Sequence, residues 1–131
     1  MNRNFNIIRP AHLKPRPDKY EERVAEICAD YFKSDIKFVI RGAATTPDIQ
    51  VVQTGKLWEI KNIRGCGKHT IEDNLRKASK QSRLIIISLL AAHKLDERRV
   101  EGKVRSIIAT RRMLIDAVLL ITKTGKVIDI S

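Results

Sequence analysis

Aromatic rings are scarce in this chain, with three Phe, two Tyr and a single Trp among 131 residues. So few flat surfaces disfavour recognition of splayed single-stranded bases, which depends on stacking, and favour reading the shape and phosphates of a duplex. Cysteine is sparse as well. Cys28 and Cys66 stand alone without CxxC spacing, which excludes a zinc ribbon or a disulfide framework and agrees with a reducing compartment. Long hydrophobic runs are missing too, since the longest, residues 84–92, is interrupted by Ser88 and is far too short to span a bilayer. "MNRNFNIIRP" lacks the apolar centre of a signal peptide. The chain is therefore expected to act as a soluble body, alone or as the C-terminal piece of something longer.

Acidic residues are in the minority, 15 Asp and Glu against 26 Lys and Arg, for a formal charge of +11. Such an excess concentrates polyanions and speeds their encounter, so nucleic acid is the first partner to consider. An anionic membrane or an acidic protein would answer the same charge. Hydrophobic residues make up 43% of the chain, an ordinary fraction for one globular domain with a single core.

Proline is confined mostly to one end. Three of the four prolines fall in residues 1–17, which read as an irregular or extended N-terminal arm, leaving 18–131 as a single domain. Asp18 is a candidate N-cap for a helix whose Tyr20, Val24, Ile27, Cys28, Tyr31 and Phe32 recur at helical spacing. "IKFVIRG" and "PDIQVVQ" read as strands, and "TGK" turns the second into "LWEIKN". Thr70 with Asp73 resembles a capping box for a helix running to about residue 83. "LIIISLL" is apolar on both faces, as a covered central strand would be, and a helix over about 96–112 follows, weakened by Gly102. "LIDAVLLIT", "KTG" and "KVIDI" close the chain as a hairpin. The order α-β-β-β-α-β-α-β-β describes an α/β domain with a mixed central β-sheet flanked by helices.

Within "TPDIQVVQTGKLWEIKN" polar groups sit where a small domain should be building its core. Alternation along a strand puts Glu59 and Lys61 on one face and Trp58, Ile60 and Asn62 on the other, and the hairpin brings Asp48 alongside them. Two carboxylates this close repel, and a divalent cation relieves the repulsion. Mg²⁺ prefers oxygen ligands and retains waters, one of which can become a nucleophile; Mn²⁺ and Zn²⁺ are the alternatives. The Ile60 carbonyl could supply a further oxygen, and Lys61 could orient or deprotonate the water and stabilise the charge of a phosphorane-like transition state. An isolated ExK in a strand is common and often only an exposed pair. Its apolar flanks, the preceding Pro-Asp and the basic chain raise its significance.

Pro47-Asp48 followed by Glu59-Ile60-Lys61 resembles the PD-(D/E)XK nuclease motif. From Glu22 to Leu89 the chain further resembles the C-terminal nuclease toxin domains of CdiA-type contact-dependent growth inhibition proteins, in which a helix precedes "PDI", "WEIK" follows, and a lysine- and alanine-containing helix leads into an aliphatic strand. The resemblance implies a restriction-endonuclease-like core and a metal-dependent endonuclease, with tRNA the favoured substrate and DNA the runner-up. It also implies an acid from the first helix in the site, Glu22 by position with Glu26 as the alternative, and a supporting role for Gln81. A toxin of this kind would act in the cytoplasm of a target cell and need an immunity protein, acidic to complement this surface. A catalytically silent nucleic-acid-binding domain is the competing reading.

Lys68, His69, Arg76, Lys77, Lys80 and Arg83 crowd the loop and helix after the ExK strand, with Arg76 and Lys80 one turn apart. This strip is the candidate track for a phosphate backbone. The cluster "ERRVEGKVR" on the next helix either widens that footprint or keeps the protein soluble. His12 and His93 carry no usable signal.

Overall fold

An aspartate opens the first helix, as its position before the apolar stripe predicts. Asp18 accepts hydrogen bonds from the backbone of Tyr20 (2.9 Å) and Glu21 (2.8 Å), and the Glu21 carboxylate takes the Asp18 N–H in return. That reciprocal box starts α1 (Lys19–Phe32), which ends at Lys33 in the left-handed conformation, φ 54°. The structure is a computed structural model that describes residues 4–11, 16–40, 47–65, 67, 69–92 and 94–130.

Seven strands form one mixed sheet whose spatial order follows the chain: β1 (Ile7–Ile8), β2 (Ile36–Phe38), β3 (Ile49–Val51), β4 (Lys56–Asn62), β5 (Leu84–Ser88), β6 (Ala117–Ile121) and β7 (Val127–Asp129). Strands β4, β5 and β6 are parallel, linked by α2 (Thr70–Ser79) and α3 (Glu97–Ala109), while β2–β3–β4 and β6–β7 pair antiparallel. Both sharp hairpin turns use glycine at positive φ, Gly55 at 74° and Gly125 at 91°, a conformation that side chains with a Cβ rarely adopt.

The sheet divides two cores. Val24, Ile27 and Cys28 of α1 pack on Ile36, Ile49, Trp58, Ile60 and Ile86. On the opposite face Ile71, Leu75 and Ala78 of α2 and Val100, Val104 and Ile107 of α3 pack on Ile85, Ile87, Val118 and Leu120. Ile85, Ile86 and Ile87 are all fully buried, each contributing on the order of 1.5–3 kcal/mol, which is why "LIII" shows no alternation. Cys28 belongs to the first core, and burial pushes its thiol up to about 12, so it is an inert filler. Among the described residues no helix is long and apolar enough to cross a membrane.

The N-terminal arm, expected to be irregular or extended, is extended at Ile7 and Ile8, which pair in parallel with Ile36 and Lys37 and form the sheet's edge. Two other expectations need correction. The Thr70–Asp73 box does not form; Thr70 is already the first helical residue, His69 occupies the cap position without a side-chain bond, and Asp73 donates its N–H to the His69 carbonyl. Helices α2 and α3 also end at Ser79 and Ala109, short of residues 83 and 112. After α2, Ser82 breaks off to bond the Leu57 carbonyl and the Leu84 N–H, which draws the chain into β5.

The two candidate caps therefore separate in a denaturation experiment. Asp18→Ala lowers stability by about 1 kcal/mol, whereas Thr70→Ala changes it by less than about 0.5 kcal/mol. Urea midpoints of the two variants check this, and the reverse ranking would place the cap at Thr70.

Candidate active site

The site begins with the register of one hairpin. Ile49 pairs with Trp58, so Asp48 lies opposite Glu59. Ile49, Trp58 and Ile60 point into the α1 core. Alternation turns Asp48, Glu59 and Lys61 to the other face, where the partners of Glu59 and Lys61 on β5 are Ile85 and Ile87 of the α2–α3 core. The three polar side chains thus share one face, as the spacing in the sequence predicts.

The two acids are buried and the lysine half-buried. Asp48 is 7% exposed and Glu59 3%, and the Lys61 ammonium stands 3.4 Å from Glu59 Oε2. Asp48 is fixed at three points: its N–H donates to the Trp58 carbonyl (3.1 Å), its carbonyl accepts from Val39 (2.9 Å), and its Oδ2 accepts from the Ile60 N–H (2.8 Å). That last bond also orients Ile60. A strand residue directs its N–H and C=O to the same side, so the Ile60 carbonyl faces the Asp48 side of β4.

Burial pushes the Glu59 carboxyl up to about 8 from its ordinary 4.5, helped by the negative charge of Asp48 and a hydrogen bond to it and opposed by Lys61. Two carboxylates and a carbonyl form a hard oxygen set, suited to Mg²⁺ or Mn²⁺ and lacking the thiolate or imidazole of a structural zinc site. Among the described residues no three His, Cys, Asp or Glu side chains converge as a metal cage. Any ion at this hairpin would therefore complete its shell with waters, as Mg²⁺ commonly does.

Glu22 has a different neighbour. Arg9 Nε donates to both its carboxylate oxygens, at 3.0 and 2.8 Å, and Arg9 Nη2 closes a second prong on Oε1. The hydrogen bond to Glu22 holds the Arg9 guanidinium above its ordinary pKa against the opposing effect of burial. Helix α1 covers the Trp58–Ile60 face, so Glu22 and Glu26 rise from the side of the sheet opposite Glu59. No sequence signal marked Arg9, which lies 13 residues before its partner in the arm.

The basic strip is only partly available. Arg76 is held by Asp73 (3.3 Å) and Glu72 (3.9 Å), and His69 lies 4.0 Å from Glu72. Lys77 is exposed on α2 and Lys80 at its C-cap, and Gln81 is half-buried just beyond. The Ser82 bond to Leu57 keeps that end of α2 near the Glu59 end of the site. Lys68 and Cys66, like His12 and His93, lie outside the described residues.

The fold and the hairpin together define a mixed-sheet α/β domain with a buried acid–acid–lysine cluster. Residues 45–127 match the contact-dependent growth inhibition CdiA C-terminal domain, and the chain belongs to that family. Among solved structures it is similar to a CdiA-CT/CdiI toxin and immunity complex from Burkholderia pseudomallei, with a TM-score of 0.60 over 95% of this chain and 97% of that one. The two are 15% identical, so the likeness concerns the fold. A search of curated proteins finds no match.

The burial of Glu59 makes stability depend on pH in the metal-free protein. The folded state retains the Glu59 proton up to about pH 8 while the unfolded chain releases it near 4.5, so unfolding releases a proton in that window and stability falls as pH rises through it. Glu59→Gln is expected to flatten that part of the profile. Denaturant melts at several pH values in EDTA would check it, and equal slopes for both proteins would show that Glu59 is not protonated in the fold.

Proposed function

We propose that this domain is a divalent-metal-dependent nuclease of the PD-(D/E)XK type that hydrolyses phosphodiester bonds in RNA, with tRNA the favoured substrate. The observation that carries the reading is the convergence of Asp48, Glu59 and Lys61 on one face of the hairpin, with the two acids buried against one another and the half-buried Lys61 ammonium beside Glu59. A binding module has no use for a buried pair of acids, which costs stability and adds no attraction for phosphates.

Asp48, Glu59 and the Ile60 carbonyl are the residues that hold the ion, Mg²⁺ in preference to Mn²⁺ or Zn²⁺. Such an ion supplies Lewis acidity and a bound water of lowered pKa. Lys61 orients the attacking water and stabilises negative charge building on the phosphoryl oxygens. The Ile60 N–H keeps the Asp48 carboxylate from rotating away. Glu22, with Glu26 as the alternative, is the first-helix acid that the family resemblance assigns to the site; here Arg9 holds Glu22 on the α1 side of the sheet.

Family membership and the likeness to a toxin of known fold support a biological role as a delivered toxin. In this reading the domain acts in the cytoplasm of the target cell. The producing cell protects itself with an immunity protein, acidic to meet a surface of formal charge +11.

Purified protein with Mg²⁺ is expected to degrade total tRNA, and EDTA to stop it. Intact RNA beside nicked plasmid would replace the RNase with a DNase, and survival of both polymers under Mg²⁺, Mn²⁺ and Zn²⁺ would end the nuclease reading. Lys61→Ala should lower turnover by about 10²–10⁴ while leaving the circular dichroism spectrum and RNA affinity close to wild type. Unchanged turnover would remove Lys61 from the mechanism.

A further inference from the structure

The cations on the sheet face that carries Glu59 and Lys61 are not equivalent. Arg76 on α2 is neutralised by Glu72 and Asp73, and Arg105 on α3 by Glu101 at 3.0 Å. Lys94, Arg99 and Lys103 have no carboxylate partner among the described residues, and all three line one cleft of about 590 Å³ between the N-terminal halves of α2 and α3. The acid at its mouth, Asp96, is committed to α3, where its Oδ1 accepts the Arg98 N–H at 3.0 Å.

The floor of the cleft is apolar. Ile71 is 7% exposed and Val100 3%, and both belong to the core that also holds Ile63, two residues beyond Lys61 on β4. A low-dielectric floor beneath three unpaired cations focuses their field outward, and the adjoining end of α2 adds a helix start that no side chain caps. An anion in the cleft would be met by point charges and backbone N–H groups, with no aromatic platform for a base. That chemistry reads a phosphodiester backbone rather than a sequence.

We infer that the α2–α3 cleft is a second phosphate-binding subsite, taking the backbone of the nucleic acid whose cleavage occurs at the β3–β4 hairpin. This inference rests on the nuclease reading for its ligand and extends it by moving the anchor from the α2 strip to Lys94, Arg99 and Lys103. Arg99 and Lys103, one turn apart on α3, form the wall that follows successive phosphates.

The test is equilibrium binding in EDTA, where cleavage cannot interfere. It uses a fluorescent RNA hairpin stem and a DNA duplex of the same sequence, each titrated over a range of salt concentrations. Each phosphate that the protein no longer neutralises makes the slope of log K against log salt shallower by about 0.7–0.9, so Arg99→Ala/Lys103→Ala should reduce it by about 1.4–1.8. Arg105→Ala, on the same helix but already paired, should change it by less than about 0.5.

The same reduction on RNA and DNA identifies a backbone subsite, and a reduction on RNA alone identifies one fitted to the A-form stem. Both outcomes support the inference. Unchanged slopes in the double variant, with wild-type binding intact, overturn the cleft and leave the nuclease reading standing. Displacement of the RNA by polyglutamate, charge for charge, would overturn it in favour of an acidic protein partner. Failure of the wild type to bind either polymer would sink both the cleft and the reading on which it rests.

Discussion

A sheet with helices packed on both faces leaves no wet side for an acid, and this constraint governs the site. Strand β4 lies inside the sheet with α1 on one face and α2 and α3 on the other. Glu59, 3% exposed, cannot turn to water. Its charge has to be met by Lys61, removed by a proton, or met by something bound. Asp48 makes the first of these insufficient, because two carboxylates face one ammonium. An uncompensated buried charge is among the most destabilising features a small domain can carry. Stability therefore does not account for such a cluster in the centre of the fold.

The same constraint explains how charge is divided over the molecule. The formal +11 is spread over exposed side chains, while the hairpin gathers two acids and a lysine in a small, largely buried volume where burial keeps Glu59 protonated to about pH 8. The surface charge as a whole attracts a polyanion, and the hairpin adds nothing to that attraction. At 15% identity to the Burkholderia toxin, a shared fold does not carry side-chain chemistry across. The case for this chain rests on its own residues.

Local signals that depend on one or two turns of chain were legible. Asp18 caps α1 as its place before the apolar stripe predicts, and the order of elements from α1 onward is the one the periodicity describes. The face shared by Glu59 and Lys61 followed from strand alternation, and the approach of Asp48 from a hairpin too short to allow much choice of register. Signals that depend on a distant partner were not. Ile7 and Ile8 form a strand only because β2 lies beside them, and Thr70 with Asp73 fails as a box because the chain enters α2 one residue too early.

Alternation and spacing, properties of the covalent chain, determined that an acid–acid–lysine set would meet on one side of a hairpin. They could not determine how deeply the set would be buried, because burial depends on which helices cover the face. Likewise the count of basic residues is written in the chain, but not which are silenced. Arg76 and Arg105 have their charge offset by acids three or four residues away, and Arg9 reaches across 13 residues to Glu22. Lys94, Arg99 and Lys103 remain unpaired because α2 and α3 come together around them. Electrostatic neutralisation acts through space over a few ångströms, and only the folded chain sets those distances.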